Sequence, residues 1–524
     1  MPPLPFPAIP PMPAARHPAA VYLDSRVLSL LFLGFSAGLP LMLVFSSLSL
    51  WLREAGVARE TVTMFSWAAL AYSFKFVWSP LADTLPLPLL RRLGKRRSWL
   101  LLSQVLMMAA AAWMACVNPA SADALPYMAA AAVLLGFASA TQDIVIDAYR
   151  IEAAGGDAGI LTAASATYNA GYRVGMIVSG AGALFLAAKL GSSAEHYSYA
   201  AWRQTYLAMA AVMGAGVLTT FFIREPQAGA GFQTAPQGAA DNLRLLLLFA
   251  ASAAAFATTF AYAGDLLPQA QGAFSKLFWE TLRLGAAAAA ALAAARLLTA
   301  AKLVSADLVR ATWVSPVADF FHRYGRAALL LLALIGMYRV SDIVAGVVAN
   351  VFYQDMGFAK EEIAAAVKTF GVVMAVAGGL LGGLLSQRFS LMKMMTAGAV
   401  LASATNLLFV ALSYRGHDVL FLYLAVGCDN LASGLAGAVF VAFLSSLTSI
   451  RFTAVQYAVL SSLMTLLPKT LGGYSGSMVQ NIGYPGFFLF TALLGVPVLL
   501  LLWLTDQYVY RPSENTQNQN KENT

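Results

Sequence analysis

The stretch RRLGKRRSWLLLSQVLMMAAAAWMACV, residues 91–117, sets a basic cluster directly before a long apolar run. From Ser98 to Val117 the chain holds no charged side chain over 20 residues. A helix needs about 20 predominantly apolar residues to cross the hydrocarbon core of a bilayer. Lys and Arg collect on the cytoplasmic side of such helices. The stretch therefore predicts a transmembrane helix that begins at the cytoplasmic surface.

The composition of the whole chain agrees with this prediction. Of its 524 residues, 59% are hydrophobic and only 11% are charged, whereas soluble domains carry about 25% charged residues. The two cysteines, Cys116 and Cys428, lie in apolar stretches and indicate neither a disulfide framework nor a thiolate metal site. The proline-rich start, residues 1–18, lacks the pattern of a cleavable signal peptide. We therefore expect an all-α polytopic membrane protein.

Fourteen segments are apolar enough to be transmembrane helices. They are 27–50, 61–82, 98–117, 126–149, 160–188, 203–223, 242–262, 277–300, 327–350, 361–385, 393–412, 418–447, 453–480 and 484–505. The segment 277–300 is the weakest, because its uncharged core, 284–295, is short and is bounded by Arg283 and Arg296. This segment either spans the bilayer, with those side chains reaching the surface, or lies on the surface as an amphipathic helix.

The distribution of positive charge predicts the orientation of the helices. Lys and Arg gather in the connections that follow even-numbered segments: Arg91, Arg92, Lys95, Arg96, Arg97, Arg150, Lys302, Arg310, Arg323, Arg326, Arg388 and Lys393. The connection after the third segment, NPASADALP, contains neither residue type. The basic side is expected to be cytoplasmic, and both termini lie on it. Because topology accounts for the net charge of +8, nucleic-acid binding is not expected.

Six segments precede a less regular region, and six follow it. We predict a disordered tail at 1–26, an N-terminal six-helix bundle at 27–223, a central linker at 224–326 with accessory helices near 242–262 and 277–300, a C-terminal bundle at 327–505 and a tail at 506–524. GFASATQD in the fourth helix resembles GCDNLASG in the tenth. This arrangement favours the major facilitator fold, whose halves are related repeats, with an extra helix pair between the two bundles.

Ionisable side chains inside the predicted spans mark candidate functional sites, because they are costly in a bilayer. They are Lys75, Asp143, Asp147, Arg173, Arg339, Asp342, Lys368, Asp429 and Lys469. Asp143 and Asp147 are four residues apart and so share one face of a helix. Two such carboxylates can hold a proton, bind a cationic group, or form ion pairs with Lys75 or Arg173.

The two aspartates receive separate hypotheses. Asp143 lies deeper in its span and is the proton-coupling candidate, with substrate contact and a structural ion pair as alternatives. Asp147 lies nearer the cytoplasmic end and is a candidate for a gate or an ion pair. The other candidates for gating or ion pairing are Asp83, Arg150, Glu152, Arg339, Asp342 and Asp429. Asp83 and the basic cluster after it also match part of the major facilitator signature between helices 2 and 3.

The sequence favours transport over catalysis. The four histidines, His17, His196, His322 and His417, lie in tails or loops without the spacing of metal ligands. The chain contains no Gly-x-Ser-x-Gly elbow and no phosphate-binding loop. The surplus of cations inside the spans favours an anionic substrate over a cationic one. We expect a carrier with no metal and no cofactor.

Several runs carry a family resemblance: GFSAGLPLMLVFSSLSLWLREAGV (34–57), FSWAALAYSFKFVWSPLAD (65–83), SATQDIVIDAYRIE (139–152), YRVSDIVAGVVANVFYQDMGF (338–358) and CDNLASGLAGAVFVAFLSSL (428–447). On these runs the chain resembles the AmpG muropeptide permeases of the major facilitator superfamily, over nearly all of 27–505 outside the central linker. The glycines of the family's first helix correspond to Gly34 and Gly38, which we expect to serve helix packing. Its polar motif corresponds to Gln142, Asp143 and Asp147.

The resemblance implies a monomeric carrier in the bacterial inner membrane. It implies import of N-acetylglucosamine–1,6-anhydro-N-acetylmuramic acid, with or without its peptide, from periplasm to cytoplasm by proton symport. This import would serve peptidoglycan recycling and β-lactamase induction, with the proton gradient as the energy source. The substrate-binding candidates are Gln142, Asn169 and Asn430 for sugar groups, Lys75, Arg173 and Lys469 for carboxylates, and Tyr72 and Tyr172 for ring contacts. The alternatives are a related carrier of another organic anion, such as acetyl-CoA, and a drug/proton antiporter.

Overall fold

The computed structural model describes residues 18–57, 61–62, 65, 70–85, 87–193, 196–226, 238–266, 273–472 and 475–510. These residues form helices and connecting turns, and no strand occurs among them. Within the same ranges, twelve helices are long and apolar enough to cross a membrane. Two of the predicted segments, 61–82 and 453–480, include residues outside the described ranges. The prediction of an all-α, multi-pass membrane protein is confirmed.

The first part of the main compact unit contains eight described α-helices. They are α1 (Ser25–Met42), α2 (Leu48–Glu54), α3 (Leu70–Phe74), α5 (Lys95–Ala115), α6 (Leu125–Ala154), α7 (Ala158–Ile177), α8 (Ala183–Lys189) and α9 (Tyr199–Phe222), with α4 described below. Side chains at three N-caps explain where helices begin: Asp24 caps α1, Asp157 caps α7 and Ser198 caps α9. The π-helical segment Val178–Gly182 joins α7 to α8, and the two form one candidate span, Ala158–Lys189.

A second compact unit consists of Val77–Pro86 and Ala228–Asp319. Its described helices are α4 (Ser79–Thr84), α10 (Ala239–Leu266), α11 (Ala273–Ala300), α12 (Ala306–Val309) and the start of α13 (Ser315–Tyr324). Helices α10 and α11 pack on each other, with Arg283 Nε donating to the carbonyl of Phe260 at 2.7 Å and the guanidinium 3.9 Å from the ring centroid of Phe260. Both helices contain a stretch long and apolar enough to cross a membrane, so the extra pair of the predicted fold is present.

The remaining helices belong to the last part of the main unit. They are α14 (Ala327–Met337), α15 (Val340–Asp355), α16 (Lys360–Ile363), α17 (Gly371–Leu385), α18 (Leu391–Arg415), α19 (Val419–Ser446), α20 (Thr453–Gly472), α21 (Ser475–Leu493) and α22 (Gly495–Thr505). Helix α20 continues through Pro468, one residue before Lys469. We refer to the described residues up to 226 in the main unit as the N-terminal half and to those from 327 as the C-terminal half.

Each half of the main unit has its own buried apolar core. The core of the N-terminal half contains the stacked rings of Trp51 and Trp202, whose centroids are 5.7 Å apart. The core of the C-terminal half contains Phe352 and Phe488, whose centroids are 4.9 Å apart. Aromatic pairs at these distances add to the burial of their apolar surface. The helices that pack around these two cores also carry the charged residues described below.

Glycines bring one pair of helices into backbone contact in each half. A Cβ atom on Gly34 of α1 would lie 2.2 Å from the carbonyl oxygen of Tyr168 in α7, and one on Gly38 would lie 2.0 Å from that of Tyr172. In the C-terminal half, a Cβ on Gly434 of α19 would lie 2.0 Å from the carbonyl oxygen of Ala375 in α17. Only glycine allows such close approach of two helices, so both halves use the same packing device.

Candidate functional site

Helix α6 provides the central polar residues of the site. Every residue from Ser139 to Ile151 is buried, because α6 packs on α1, α5 and α20. This stretch contains Asp143 and Asp147, and neither carboxylate faces lipid. A buried charge must be paired or hydrogen-bonded to be tolerated, so the partners of the two aspartates decide what each can do.

Asp147 is held by two cations. Its Oδ1 lies 3.0 Å from Nη1 of Arg150, three residues later on the same helix, and its Oδ2 lies 3.4 Å from Nζ of Lys75. All three side chains are at least nine-tenths buried. Each carboxylate oxygen therefore meets one positive charge, and Asp147 is an ion-paired residue.

Asp143 lies one helical turn away in different surroundings. The hydroxyl of Tyr168 donates to its Oδ1 at 3.5 Å, and Lys75 and Asp147 are charged neighbours. Within the described part of the chain Asp143 forms no ion pair, although it is only 8% exposed. The structure therefore separates the two aspartates by environment.

Arg150 connects α6 to the C-terminal half. Its Nη2 lies 3.3 Å from Oγ of Ser445, and its guanidinium carbon lies 5.1 Å from the ring centroid of Tyr457 and 5.5 Å from that of Tyr168. Cation–π contacts of this kind strengthen when the groups are removed from water. Arg150 thus contacts both halves at the end of α6 while it neutralises Asp147.

Glu152 makes a second connection between the halves. Its carboxylate binds the guanidinium of Arg96, with Oε2 2.9 Å from Nε and Oε1 2.5 Å from Nη2. The hydroxyl of Thr453 in the C-terminal half donates to Oε1 at 2.7 Å. We name the group Arg96, Glu152 and Thr453 the clamp. The sequence named Glu152 as a candidate for gating or ion pairing, and its described partners are those of the clamp.

Three half-buried charges of the C-terminal half form a third group. Arg339 Nε donates to Oδ2 of Asp342 at 2.8 Å, and its Nη2 lies 3.2 Å from Oγ of Ser433. Asp429 lies near this pair, and the hydroxyl of Thr405 donates to its Oδ1 at 3.2 Å. Arg339 also acts electrostatically on Arg173 of the N-terminal half. The residues predicted to form ion pairs in this half are thus brought together.

The predicted substrate residues differ in how far they are exposed. Asn169, Tyr172, Arg173 and Asn430 are half-buried. Gln142 is fully buried, and its Oε1 accepts a hydrogen bond from Ser36 at 3.2 Å.

Three predicted residues remain. Tyr72 donates to Oγ of Ser139 at 2.7 Å. Asp83 is buried in α4, in the second compact unit. The side chain of Lys469 lies outside the described part of the structure, and its role stays a prediction.

Sequence reasoning missed several functional partners. Arg96 was interpreted as a topological charge of the loop, yet it is only 2% exposed. Thr453 and Tyr457 lie in FTAVQYAVL, a run that shows no charge and therefore no signal of its own. A neutral hydroxyl becomes recognisable only when the buried charge that it contacts is known. Thr405 was missed for the same reason.

Comparison with solved structures identifies the fold. The structure of the XylE proton:xylose symporter, described as a major facilitator superfamily protein, superposes with a TM-score of 0.59 over 92% of this chain and 96% of that chain, at 14% sequence identity. The structure of the human organic anion transporter MFSD10 gives a TM-score of 0.50 at 14% identity, covering 93% of this chain and 98% of that chain. At these identities the likeness concerns the fold alone. The protein has the major facilitator fold.

Comparison with curated proteins then identifies the family. The anhydromuropeptide permease of Escherichia coli K12 is 30% identical over 488 residues, which cover 93% of this chain and 81% of that protein. The putative transporter AmpG 4 of Rickettsia felis is 29% identical over 490 residues, covering 93% of this chain and 98% of that protein. The chain belongs to the AmpG family of anhydromuropeptide permeases, as its sequence motifs predicted. A model of the family "Acetyl-coenzyme A transporter 1" also matches residues 26–213.

Proposed function

We propose that this protein imports anhydromuropeptides across the bacterial inner membrane by proton symport. The cargo is the disaccharide N-acetylglucosamine–1,6-anhydro-N-acetylmuramic acid, with or without its stem peptide. The observation that carries the proposal is the match to the Escherichia coli anhydromuropeptide permease over 93% of this chain. In this proposal both termini are cytoplasmic, the carrier works as a monomer without a cofactor, and its import serves peptidoglycan recycling and β-lactamase induction.

The contrast between the two aspartates supports proton coupling. Asp147 is paired with both Lys75 and Arg150, so each of its oxygens already meets a cation. Asp143 is buried with only the Tyr168 hydroxyl as a described hydrogen-bond partner. An unpaired buried charge is costly. Binding of a proton neutralises Asp143 and so lowers the free-energy cost of the change between the outward-open and inward-open states. Asp143 is therefore the proposed proton carrier.

The half-buried polar residues support a large anionic sugar substrate. Arg173 is half-buried and, among the described residues, forms no ion pair, so its positive charge is available to a carboxylate of the substrate. Asn169 and Asn430 offer amide groups for hydroxyl and acetamido groups. Tyr172 offers a ring face for the sugars. These four residues are the proposed substrate contacts.

The clamp and Arg150 support an alternating-access cycle. Thr453 joins Glu152 across the halves, and Ser445 and Tyr457 contact Arg150. Charge-assisted hydrogen bonds of this type are individually worth about 1.5–3 kcal/mol. A carrier must break such contacts to open toward the side on which they lie. In the proposed topology this side is the cytoplasm, so the clamp is the proposed cytoplasmic gate.

A second candidate substrate is acetyl-CoA, because the acetyl-coenzyme A transporter model matches residues 26–213. Acetyl-CoA carries more negative charge than an anhydromuropeptide, and so it would need a more cationic lining. The aspartates and amides around the few buried cations favour the muropeptide.

Competition experiments separate the two substrates. Vesicles that contain the protein are given labelled disaccharide under an imposed pH gradient, with unlabelled disaccharide, disaccharide-peptide, free peptide or acetyl-CoA as competitors. We expect inhibition by the first two only. Inhibition by acetyl-CoA alone, or uptake of labelled acetyl-CoA, would assign the protein to the second candidate. Chemical conversion of the label during uptake would show an enzyme.

A further inference from the structure

The C-terminal half contains a half-buried carboxylate that forms no ion pair with the described residues. Asp429 lies on α19, and it forms no ion pair with any residue that the structure describes. Its described hydrogen bond comes from Thr405 on α18, at 3.2 Å. Among the described residues, its charged neighbours are Arg339 and Asp342, and Tyr353 of α15 is a further titratable neighbour. No part of the proposed function uses Asp429.

Arg339 does not form an ion pair with Asp429, because the guanidinium of Arg339 already pairs with Asp342. Its guanidinium binds Asp342 through Nε at 2.8 Å and through Nη2 at 2.5 Å, and Ser433 takes a further hydrogen bond from Nη2. Two carboxylates therefore share the neighbourhood of one described cation. Two acids so placed do not easily ionise together, and the one that lacks the ion pair is the one that can exchange a proton.

Thr405 can support Asp429 in both protonation states. The Thr405 hydroxyl lies 3.1 Å from the carbonyl oxygen of Ala402 and 3.2 Å from Oδ1 of Asp429. It has one proton to donate and can also accept. When Asp429 is ionised, the hydroxyl donates to the carboxylate. When Asp429 is protonated, the hydroxyl turns to the carbonyl of Ala402 and accepts the proton of the carboxylic acid.

The N-terminal half also places an acid without an ion pair near an ion-paired acid, but there both lie on one helix, α6, whereas Asp342 and Asp429 lie on α15 and α19. There Asp147 is ion-paired, and Asp143 has the hydroxyl of Tyr168 at 3.5 Å. In the C-terminal half Asp342 is ion-paired, and Asp429 has the hydroxyl of Thr405. Asp143 and Asp429 both lie on the fourth predicted transmembrane segment of their half, in GFASATQD and GCDNLASG. Among the described residues, each half thus contains an acid without an ion pair close to an acid that has one.

We propose that Asp429 is a second proton-binding residue, so that one proton is carried in each half during a transport cycle. The inference rests on proton symport as the proposed function. Each coupled proton adds a free energy of 2.303RT to transport for every unit of pH difference across the membrane. This free energy raises the steady-state ratio of internal to external substrate about tenfold. Asp429→Asn resembles the protonated state permanently and removes the contribution of one proton. Accumulation is then expected to fall about tenfold per unit of pH gradient, while exchange of labelled for unlabelled disaccharide persists.

The test uses purified protein in liposomes, with the membrane potential clamped and labelled disaccharide as the probe. Asp418→Asn is the matched control, because Asp418 caps the same helix and asparagine is an equally good cap. Wild-type accumulation by Asp429→Asn would overturn the proposal, and so would the loss of exchange together with accumulation. Thr405→Val is expected to slow uptake, and Thr405→Ser is expected to restore it.

A measurement without substrate keeps this test separate from the proposed function. Infrared difference spectra between acidic and alkaline pH record the C=O band of protonated carboxyl groups in the full-length protein. We expect part of this band to be absent in Asp429→Asn and retained in Asp418→Asn. Identical spectra for the wild type and Asp429→Asn would overturn the inference, even if the disaccharide proves not to be the substrate. Failure of the wild type to accumulate disaccharide would count against the proposed function alone.

Discussion

Arg96 and Glu152 form a two-nitrogen ion pair in which Nε lies 2.9 Å from Oε2 and Nη2 lies 2.5 Å from Oε1. The two residues come from different helices, α5 and α6. The backbone N–H groups of Arg96 and Arg97 are capped by the carboxylate of Glu225, at 2.7 and 3.0 Å. The pair is thus fixed at the start of one helix and the end of another, and it presents Glu152 to Thr453 of the opposite half.

Removal of Glu152 should destabilise the protein more than replacement of the whole pair. Glu152→Ala leaves the buried Arg96 without its carboxylate, which costs about 3–5 kcal/mol, whereas apolar replacement of both partners is close to neutral. We expect Glu152→Ala to lower the thermal unfolding midpoint in detergent strongly. The double variant Arg96→Met/Glu152→Leu should recover most of that loss. A double variant that is as unstable as the single variant would contradict this account of the pair.

Loss of the Thr453 hydroxyl should loosen the contact between the halves without affecting the fold. Thr453→Val keeps the shape of the side chain but removes a hydrogen bond to a charged group, worth about 1.5–3 kcal/mol. Spin labels at the exposed residues Ala158 and Arg388 report the separation of the halves there. We expect a larger population of long distances in Thr453→Val and wild-type distances in Thr453→Ser. Unchanged distances in Thr453→Val would show that the clamp does not hold the halves together.

The two aspartates of α6 should respond differently to the same substitution. Asp147→Asn leaves Lys75 and Arg150 without their shared negative charge, and we expect a clear loss of thermal stability because buried unpaired charges are costly. Asp143→Asn removes no ion pair, and stability should stay near that of the wild type. Thermal unfolding of the two variants in one detergent measures the difference. Equal losses of stability would mean that the two aspartates do not have separate roles.

The close approach of α1 and α7 predicts a steric effect at Gly34. A Cβ on Gly34 would lie 2.2 Å from a backbone oxygen of Tyr168, so Gly34→Ala must push the two helices apart. Overpacking of this kind costs about 1–3 kcal/mol. Gly336→Ala in α14 is the control, because nothing lies within 4 Å of its added Cβ. We expect a lower unfolding midpoint for Gly34→Ala and an unchanged or higher one for Gly336→Ala; the reverse order would exclude the packing role.

The sequence predicted those features that depend on neighbours along the chain. Apolar runs of sufficient length predicted the helical, multi-pass fold. The pairing of Arg150 with Asp147, three residues apart, follows from helical periodicity. The contact of Arg339 with Asp342 follows in the same way. Spacing of this kind is independent of how the helices pack.

Contacts between helices that are distant along the chain could not be predicted from the sequence. Lys75 is 72 residues from Asp147, and whether it meets Asp143 or Asp147 depends on the packing of α6 against α3, which ends directly before Lys75. Glu152 meets Arg96 rather than Arg150 because α5 begins beside the end of α6. Thr453 and Thr405 are neutral residues in apolar helices, and only the structure shows that each contacts a carboxylate.

The central claim is proton-coupled import of anhydromuropeptide through Asp143, and one measurement tests it most directly. Labelled disaccharide is followed into liposomes that contain either the wild type or Asp143→Asn, with an inward proton gradient and with the gradient collapsed. The account predicts accumulation above equilibrium for the wild type only when the gradient is present. It predicts that Asp143→Asn exchanges disaccharide but accumulates less of it. Gradient-driven accumulation by Asp143→Asn at the wild-type level would contradict the claim.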